Sequence, residues 1–308
     1  MVGTFPGMTD PYPYVSVAGF KAHPTYLDLG NLRSADSNAA DQDRELHQIL
    51  MQASNWADSI CKLPLTGHLQ VDSARLRPDS RGRLFLYPDH APVRRLLSYQ
   101  YGYQPGVFTS TTTGPNYALE NARQIIVQLA GAALTSWSGP LQLNGPGSFN
   151  ELYVQWAYVA GFMNGLLGVS CAQGATSITV TDPTGLEPGD VFRIWDPGKE
   201  EALTVAANYA PNPVTPPVPT AIPLVAGTQF AHTADLSNVA NMVVVSAMPA
   251  DAYLAVVYLG IDILQRYGSA DNIWPGMPVP SATRDRERPN SLWVQRAIQL
   301  LAPFMDVR

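Results

Sequence analysis

The stretch Asp36–Cys61, DSNAADQDRELHQILMQASNWADSIC, decides how this chain is read. Leu46, Ile49, Leu50, Ala53, Trp56, Ala57 and Ile60 fall at i, i+3, i+4, i+7, i+10, i+11 and i+14, the spacing of a buried helical stripe. Ser34, Asp36 or Ser37 can cap its N-terminus. Asp41, Asp43 and Glu45 place carboxylates in the early turns, against the positive end of the helix dipole. Such a one-faced helix needs partners, and two later segments can supply them. MPADAYLAVVYLGIDILQRYG, residues 248–268, begins a helix at Pro249 and has Gly268 as a C′ glycine. Because it is apolar nearly all round, it is expected to be buried on more than one side. A last helix is expected over Leu292–Leu301, before Pro303.

Strand signals fill the rest. Leu69–Leu76 and Arg83–Tyr87 flank the turn RPDSRG and read as a hairpin. Pro92 opens VRRLLSYQYG, whose Arg94 and Arg95 either pin an acidic partner or form a solvated face. Residues 114–147 read as strands and loops, notably over Gln124–Ala130, and Glu151–Phe162 sets Leu152, Val154, Trp156 and Tyr158 on one side of a strand. From Gly174 to Val239 turns recur every eight to twelve residues, as in a small all-β unit. Its strands are expected at Ser177–Thr181, Val191–Trp195 and Ala202–Ala206, with turns at Leu186–Asp190 and Asp196–Lys199 and a proline-rich loop over Ala210–Pro223. The expected fold class is α+β: a helical core with a β-hairpin and strands, and an inserted small all-β module. The division is an extended N-terminal arm over 1–30, the first part of the core over 31–172, the module over 173–240, and C-terminal helices and tail over 241–308. The arm, with prolines 6, 11, 13 and 24 among aromatics, either lies over its own core or reaches a neighbour.

Composition narrows the function. Charged residues make up 14% of the 308, against roughly a quarter in an average soluble protein, which hints at surface covered by assembly. A net charge of −6 argues against nucleic acid as a primary ligand, yet suits a channel through which DNA slides without sticking. Cys61 and Cys171 are too few for a disulfide scaffold and fit a reducing cytoplasm. No run of 18 apolar residues points to a membrane span, and the N-terminus does not read as a signal peptide.

Chemical motifs are sparse. The sequence has no HExxH, no Cys-x-x-Cys and no close pair among His23, His47, His68, His90 and His232. Gly198-Lys199 lacks the rest of a phosphate loop, and Gly168–Ala172 is one residue short of a nucleophile elbow and lacks its strand and helix. Asp41, Asp43 and Glu45, and Glu200 with Glu201, read as helix N-terminal charges and a solvated hairpin edge rather than an acid–base or cation site. No catalytic residue, metal or cofactor is expected.

Several segments together carry a family resemblance. ILMQASNWADSICKLPL, an apolar stripe running into W-x-D-x-x-C-x-x-P, resembles the opening helix of the head-to-tail connector (adaptor) proteins of long-tailed, siphovirus-type phages. VQWAYVAGF, residues 154–162, is similar to that family's V-x-x-x-Y-x-A-G-[YF] strand, and MPADAYLAVVYLGIDIL to its closing helix. GATSITVTDPTGLEPGDVFRIWDPGKEEALTV, residues 174–205, resembles a β-module inserted in actinobacteriophage members, and RAIQLLAPFMDVR their ending. The pieces cover about half the chain, in order. The chain departs from the family in being roughly twice the length of a minimal adaptor; its first 30 residues and 109–147 match nothing in the pattern.

The resemblance implies a structural virion protein of the neck, made in the host cytoplasm and not an enzyme. It forms a homo-oligomeric ring, usually a dodecamer, beneath the portal protein. Genomic DNA passes through the lumen without sequence-specific binding, and a stopper or tail-completion protein binds the far face. By the same implication Leu292, Trp293, Ile298, Leu300, Leu301 and Phe304 are portal-docking candidates, against a plain role packing on their own core. Asp41, Glu45, Gln52 and Asn55, on the polar side of the first helix, are lumen-lining candidates. Another virion part, a minor capsid or tail-completion protein, is the nearer alternative. A glycan-binding protein, stacking sugars on Trp137, Trp156, Trp195, Trp274 and Trp293, is the farther one.

Overall fold

The computed structural model describes residues 12–24, 29, 39–79, 82–102, 106–108, 110–112, 117–129, 151–212, 217–271 and 291–305. The fold is α+β, with helices and antiparallel sheets in separate regions. The chain forms two compact units, residues 1–66 with 162–308, and residues 67–161.

In the first unit, α1 (Val17–Ala22), α2 (Ala39–Cys61), α3 (Ala250–Asp271) and α4 (Leu292–Leu301) build a helical core. The stripe on α2 is buried as its spacing requires: Leu46, Ile49, Leu50, Ala53 and Ala57 are closed off, while Trp56 and Ile60 pack at its margin. α3 packs against both α2 and α4. Its Ala252, Val256, Val257, Leu259 and Ile261 are all buried, so the nearly unbroken apolar sequence is matched by contact on several sides. Gly260 permits a close approach, since a β-carbon there would stand 3.2 Å from the Phe20 ring and 3.4 Å from a Leu50 methyl. α3 runs past Gly268 to Asp271, so that glycine does not end the helix as expected.

Of the N-terminal arm, residues 12–24 lie on their own core. Ser16 caps α1 by accepting from the Gly19 N–H, and Tyr14, Val15, Val17 and Phe20 are buried in the helical core of their own chain. Residues 1–11 and the three expected caps of α2 lie outside the described residues.

The same unit holds β8 (Asn164–Leu166), β9 (Ser177–Val180), β10 (Val191–Trp195), β11 (Glu201–Thr204), β12 (Thr220–Pro223) and β13 (Val244–Ser246). They form a sheet in the order β11-β10-β13-β8 and a ribbon β12-β9 around Ile178, Val180, Phe192, Ile194, Ile222 and Val245. Turns with Gly189 and Gly198 at positive φ lie where the sequence predicts them. This β region takes in Met163, Leu167 and β13 as well as 173–240, and it belongs to the same unit as the helices.

The second unit, 67–161, falls inside what the sequence divides off as the first part of the helical core. It contains β1 (His68–Leu76), β2 (Arg83–Leu86), β3 (Val93–Gly102), β4 (Ser110–Thr112), β5 (Tyr117–Glu120), β6 (Gln124–Gln128) and β7 (Leu152–Ala160). Two sheets, β1-β7-β3-β4 and β2-β6-β5, enclose a core of Leu84, Leu86, Ile125, Val127, Leu152, Val154, Trp156 and Tyr158. The expected hairpin of β1 with β2 does not form. The turn is local and real, with Asp79 accepting from the Arg83 N–H at 2.8 Å, but β1 pairs along its whole length with β7 and β2 pairs with β6. Nine residue pairs with β7 outweigh what a short hairpin offers.

Candidate functional site

Two surfaces of the helical core correspond to the residues singled out in the sequence. On α2, Gln52 and Asn55 are exposed, together with Arg44, Gln48 and Ser59, along one polar face. Asp41 and Glu45 sit half-buried at the edge of that face, and Asp41 accepts from Arg44 at 3.2 Å. Gln52 and Asn55 thus face outward from α2, while Asp41 and Glu45 border that face and one Glu45 carboxylate oxygen is buried.

On α4 the candidates divide. Leu292 is 59% exposed. Trp293, Ile298, Leu300 and Phe304 are half-buried against the core; Trp293 lies 5.4 Å from the Tyr258 ring, and Phe304 meets Phe162 edge to face at 6.1 Å. Leu301 is fully enclosed and, with Val294 and Ala297, fastens α4 to the core. Ser291 orients the helix by accepting from the Val294 N–H at 3.2 Å while donating to the Asp262 carboxylate of α3. What α4 offers outward is Leu292 with Gln295, Arg296 and Gln299.

The W-x-D-x-x-C-x-x-P segment forms the join of this core. Asp58 Oδ1 accepts from the Tyr14 hydroxyl at 2.6 Å and the Leu65 N–H at 3.0 Å, and Ser54 Oγ accepts from the Tyr14 N–H at 3.0 Å. The N-terminal segment, the end of α2 and the chain leaving it thus meet at one carboxyl. Burial pushes that carboxyl up to about 6, against the two hydrogen bonds, which favour the ionised form. Cys61 is buried beside it, and burial plus the Asp58 charge pushes its thiol up to about 12, so it behaves as a small apolar side chain. Lys62 at φ 62° turns the chain out of the helix. Leu65 then returns to the core, its carbonyl accepting from the Phe162 N–H at 2.8 Å.

Two polar clusters were not foreseen. In the second unit His68 Nε2 and His90 Nδ1 approach to 2.6 Å. They are 22 residues apart, and only the fold brings them together. Next to them the buried Tyr158 hydroxyl donates to Asp72 Oδ2 at 2.7 Å and accepts from the His90 N–H at 3.0 Å, while Asp72 Oδ2 also accepts from the Asp89 N–H at 2.8 Å. Burial and then the hydrogen bond to Asp72 push the Tyr158 hydroxyl upward. In the first unit His232, fully enclosed, faces Asp196 Oδ2 from Nδ1 at 2.9 Å and Glu201 Oε1 from Nε2 at 2.7 Å. Each ring nitrogen thus has a carboxyl oxygen within hydrogen-bond distance. Ser170 Oγ accepts from the Ala234 N–H at 2.9 Å. Both clusters tie loops to strands. Among the described residues no group of three or more His, Cys, Asp or Glu side chains is arranged to hold a metal ion, and no helix is long and apolar enough to cross a membrane.

The aromatics named as sugar platforms are engaged elsewhere. Trp156 is buried, Trp195 stacks on Tyr253 at 4.0 Å, and Trp293 packs on Tyr258. Trp137 and Trp274 lie outside the described residues. The sequence matches no protein-family model and no curated protein.

Proposed function

We propose that this chain is a non-enzymatic structural subunit of a phage neck, forming a ring that joins the portal vertex to the tail and leaves a channel for genomic DNA. The observation that carries the proposal is the meeting, in the helical core, of the W-x-D-x-x-C-x-x-P and M-P segments with Phe162, the last residue of the V-x-x-x-Y-x-A-G-F segment, whose Val154 and Tyr158 belong to the core of the other unit. Asp58 of the W-x-D-x-x-C-x-x-P segment anchors Leu65, Leu65 binds Phe162 at the end of the V-x-x-x-Y-x-A-G-F segment, and α3 from the M-P segment packs on α2. The polar outward face of α2 suits a wall that DNA must pass without adhering, since phosphate affinity comes from clustered Lys and Arg. The outward edge of α4, with Leu292 at its start, is the part of that segment available to a portal.

Electron cryo-microscopy of the particle neck, reconstructed with symmetry left free, tests the proposal. A ring of this chain between portal and tail is the expected result. Density for the chain elsewhere in the particle would move it to the minor capsid or tail-completion class, and its absence from particles would end the virion assignment.

A further inference from the structure

We propose that the outer edge of β1 receives strand β5 from a second copy of this chain, so that the unit 67–161 carries both halves of a head-to-tail contact. The proposal deepens the ring assignment by naming its subunit joint.

β1 stands at the end of its sheet, hydrogen-bonded to β7 on one side only. From Leu69 to Arg77, no backbone amide or carbonyl on the other side finds a partner among the described residues. A nine-residue edge left open among the described residues is a long template for strand addition. Its outward face is not strongly guarded. Val71 is 56% exposed, and the two arginines, Arg75 and Arg77, come only at its end, both bound to Glu151. Beside them a groove of about 420 Å³ is lined by Ser73, Arg75, Phe108, Tyr153 and Gln155.

The same unit holds a strand with the opposite deficiency. β5 ends the other sheet and pairs only with β6. Only Tyr117 of β5 packs, half-buried, on the core of its unit; Ala118, Leu119 and Glu120 are exposed, whereas Ile125 and Val127 of β6 are enclosed. Such a strand gains little from its own sheet and much from lying along another. Leu119 offers an apolar side chain to the Val71 region, and Glu120 a carboxylate to the arginine end. Because the two edges are different patches, the contact is heterologous, and repeating it gives a ring or filament rather than a two-fold dimer. Four residues of strand bury less than the roughly 1,600 Å² of a standard interface. A closed ring compensates, since each subunit is then held at two joints.

The test uses the full chain with Leu119→Cys combined with either Val71→Cys or Ser73→Cys, Cys171→Ser being present throughout, oxidised at high concentration and separated without reductant. The expected result is a ladder of disulfide-linked multimers from at least one double variant and none from the single variants. Leu119→Lys, on the surface and so harmless to folding, is expected to weaken association by roughly tenfold or more in sedimentation, with an unchanged melting temperature. Monomers at the highest soluble concentration overturn the proposal, as do oligomers that neither double variant cross-links or a dimer locked by Val71→Cys alone. The two proposals can fail separately. A ladder from a chain missing from the neck sinks the ring assignment and keeps the joint; a neck ring whose double-cysteine subunits do not cross-link does the reverse.

Discussion

Phe20, Leu50 and Gly260 meet so closely in the helical core that a single methyl group added at Gly260 would press on both neighbours. In the β unit, β1 and β5 end their sheets with backbone groups and apolar side chains facing outward. The two regions use a similar stock of Leu, Val and aromatic residues, yet among the described residues one closes on itself and the other leaves sheet edges unpaired. A helix satisfies its own backbone and needs only a stripe covered, whereas a sheet leaves an unsatisfied row at each edge unless it closes. The closed region is therefore suited to holding the subunit together, and the open one to joining it to others.

The largest effect should come from opening the closed region. Phe20→Ala removes a fully buried ring from between α1, α2 and α3 and should cost about 3–5 kcal/mol, read by chemical denaturation. A much smaller loss would mean that α1 is an accessory strap rather than part of the core, and the contrast with the β unit would weaken.

Asp58 sharpens the comparison through pH. Its folded carboxyl lies at about 6 against an ordinary 3.8, so the fold holds the protonated form more tightly than the unfolded chain does. Its contribution is fully present below 3.8 and is lost as pH rises through about 6, a difference of about 3 kcal/mol. Asp58→Asn should therefore gain stability relative to the parent as pH goes from 4 to 7, in parallel denaturation series. A pH-independent difference would show that the Tyr14 and Leu65 hydrogen bonds outweigh burial.

In the β unit, Tyr158→Phe strips the hydroxyl that joins Asp72 to the His90 N–H and should cost about 1–3 kcal/mol. Hydrogen exchange should show the loss in β1, β3 and β7 with the helices unchanged. Faster exchange throughout the chain would mean that the two units unfold as one.

The helices were legible in sequence because their information is local. α2 and α4 follow from spacing and, for α4, the proline after it, and Val191–Trp195 from its flanking turns. Strand partners were not legible. β1 finds β7 some eighty residues away, and nothing in Leu69–Leu76 says that it will prefer this to β2, which follows directly. That 67–161 forms a unit of its own was hidden for the same reason, as were the His68–His90 and Asp196–His232–Glu201 clusters, whose members share no short motif. Of the candidate site, the polar face of α2 was readable from periodicity alone. The inward turn of Leu301 was not, because a ten-residue amphipathic helix leaves the edges of its apolar stripe undecided until its neighbours are placed.

The smallest stability effect is expected on that polar face, and there function should separate from folding. Gln52→Lys and Asn55→Lys alter exposed side chains on α2 that carry no packing, so each should shift stability by no more than about 0.5 kcal/mol. If the face lines a DNA channel, the pair adds two cations per subunit, and a ring multiplies them into a band that grips phosphates. Particles carrying both substitutions should then assemble and package normally but eject DNA more slowly, with the defect relieved as salt rises. Normal ejection from particles shown to contain the substituted chain would place this face away from the DNA path, and the polar side of α2 would be an outer wall.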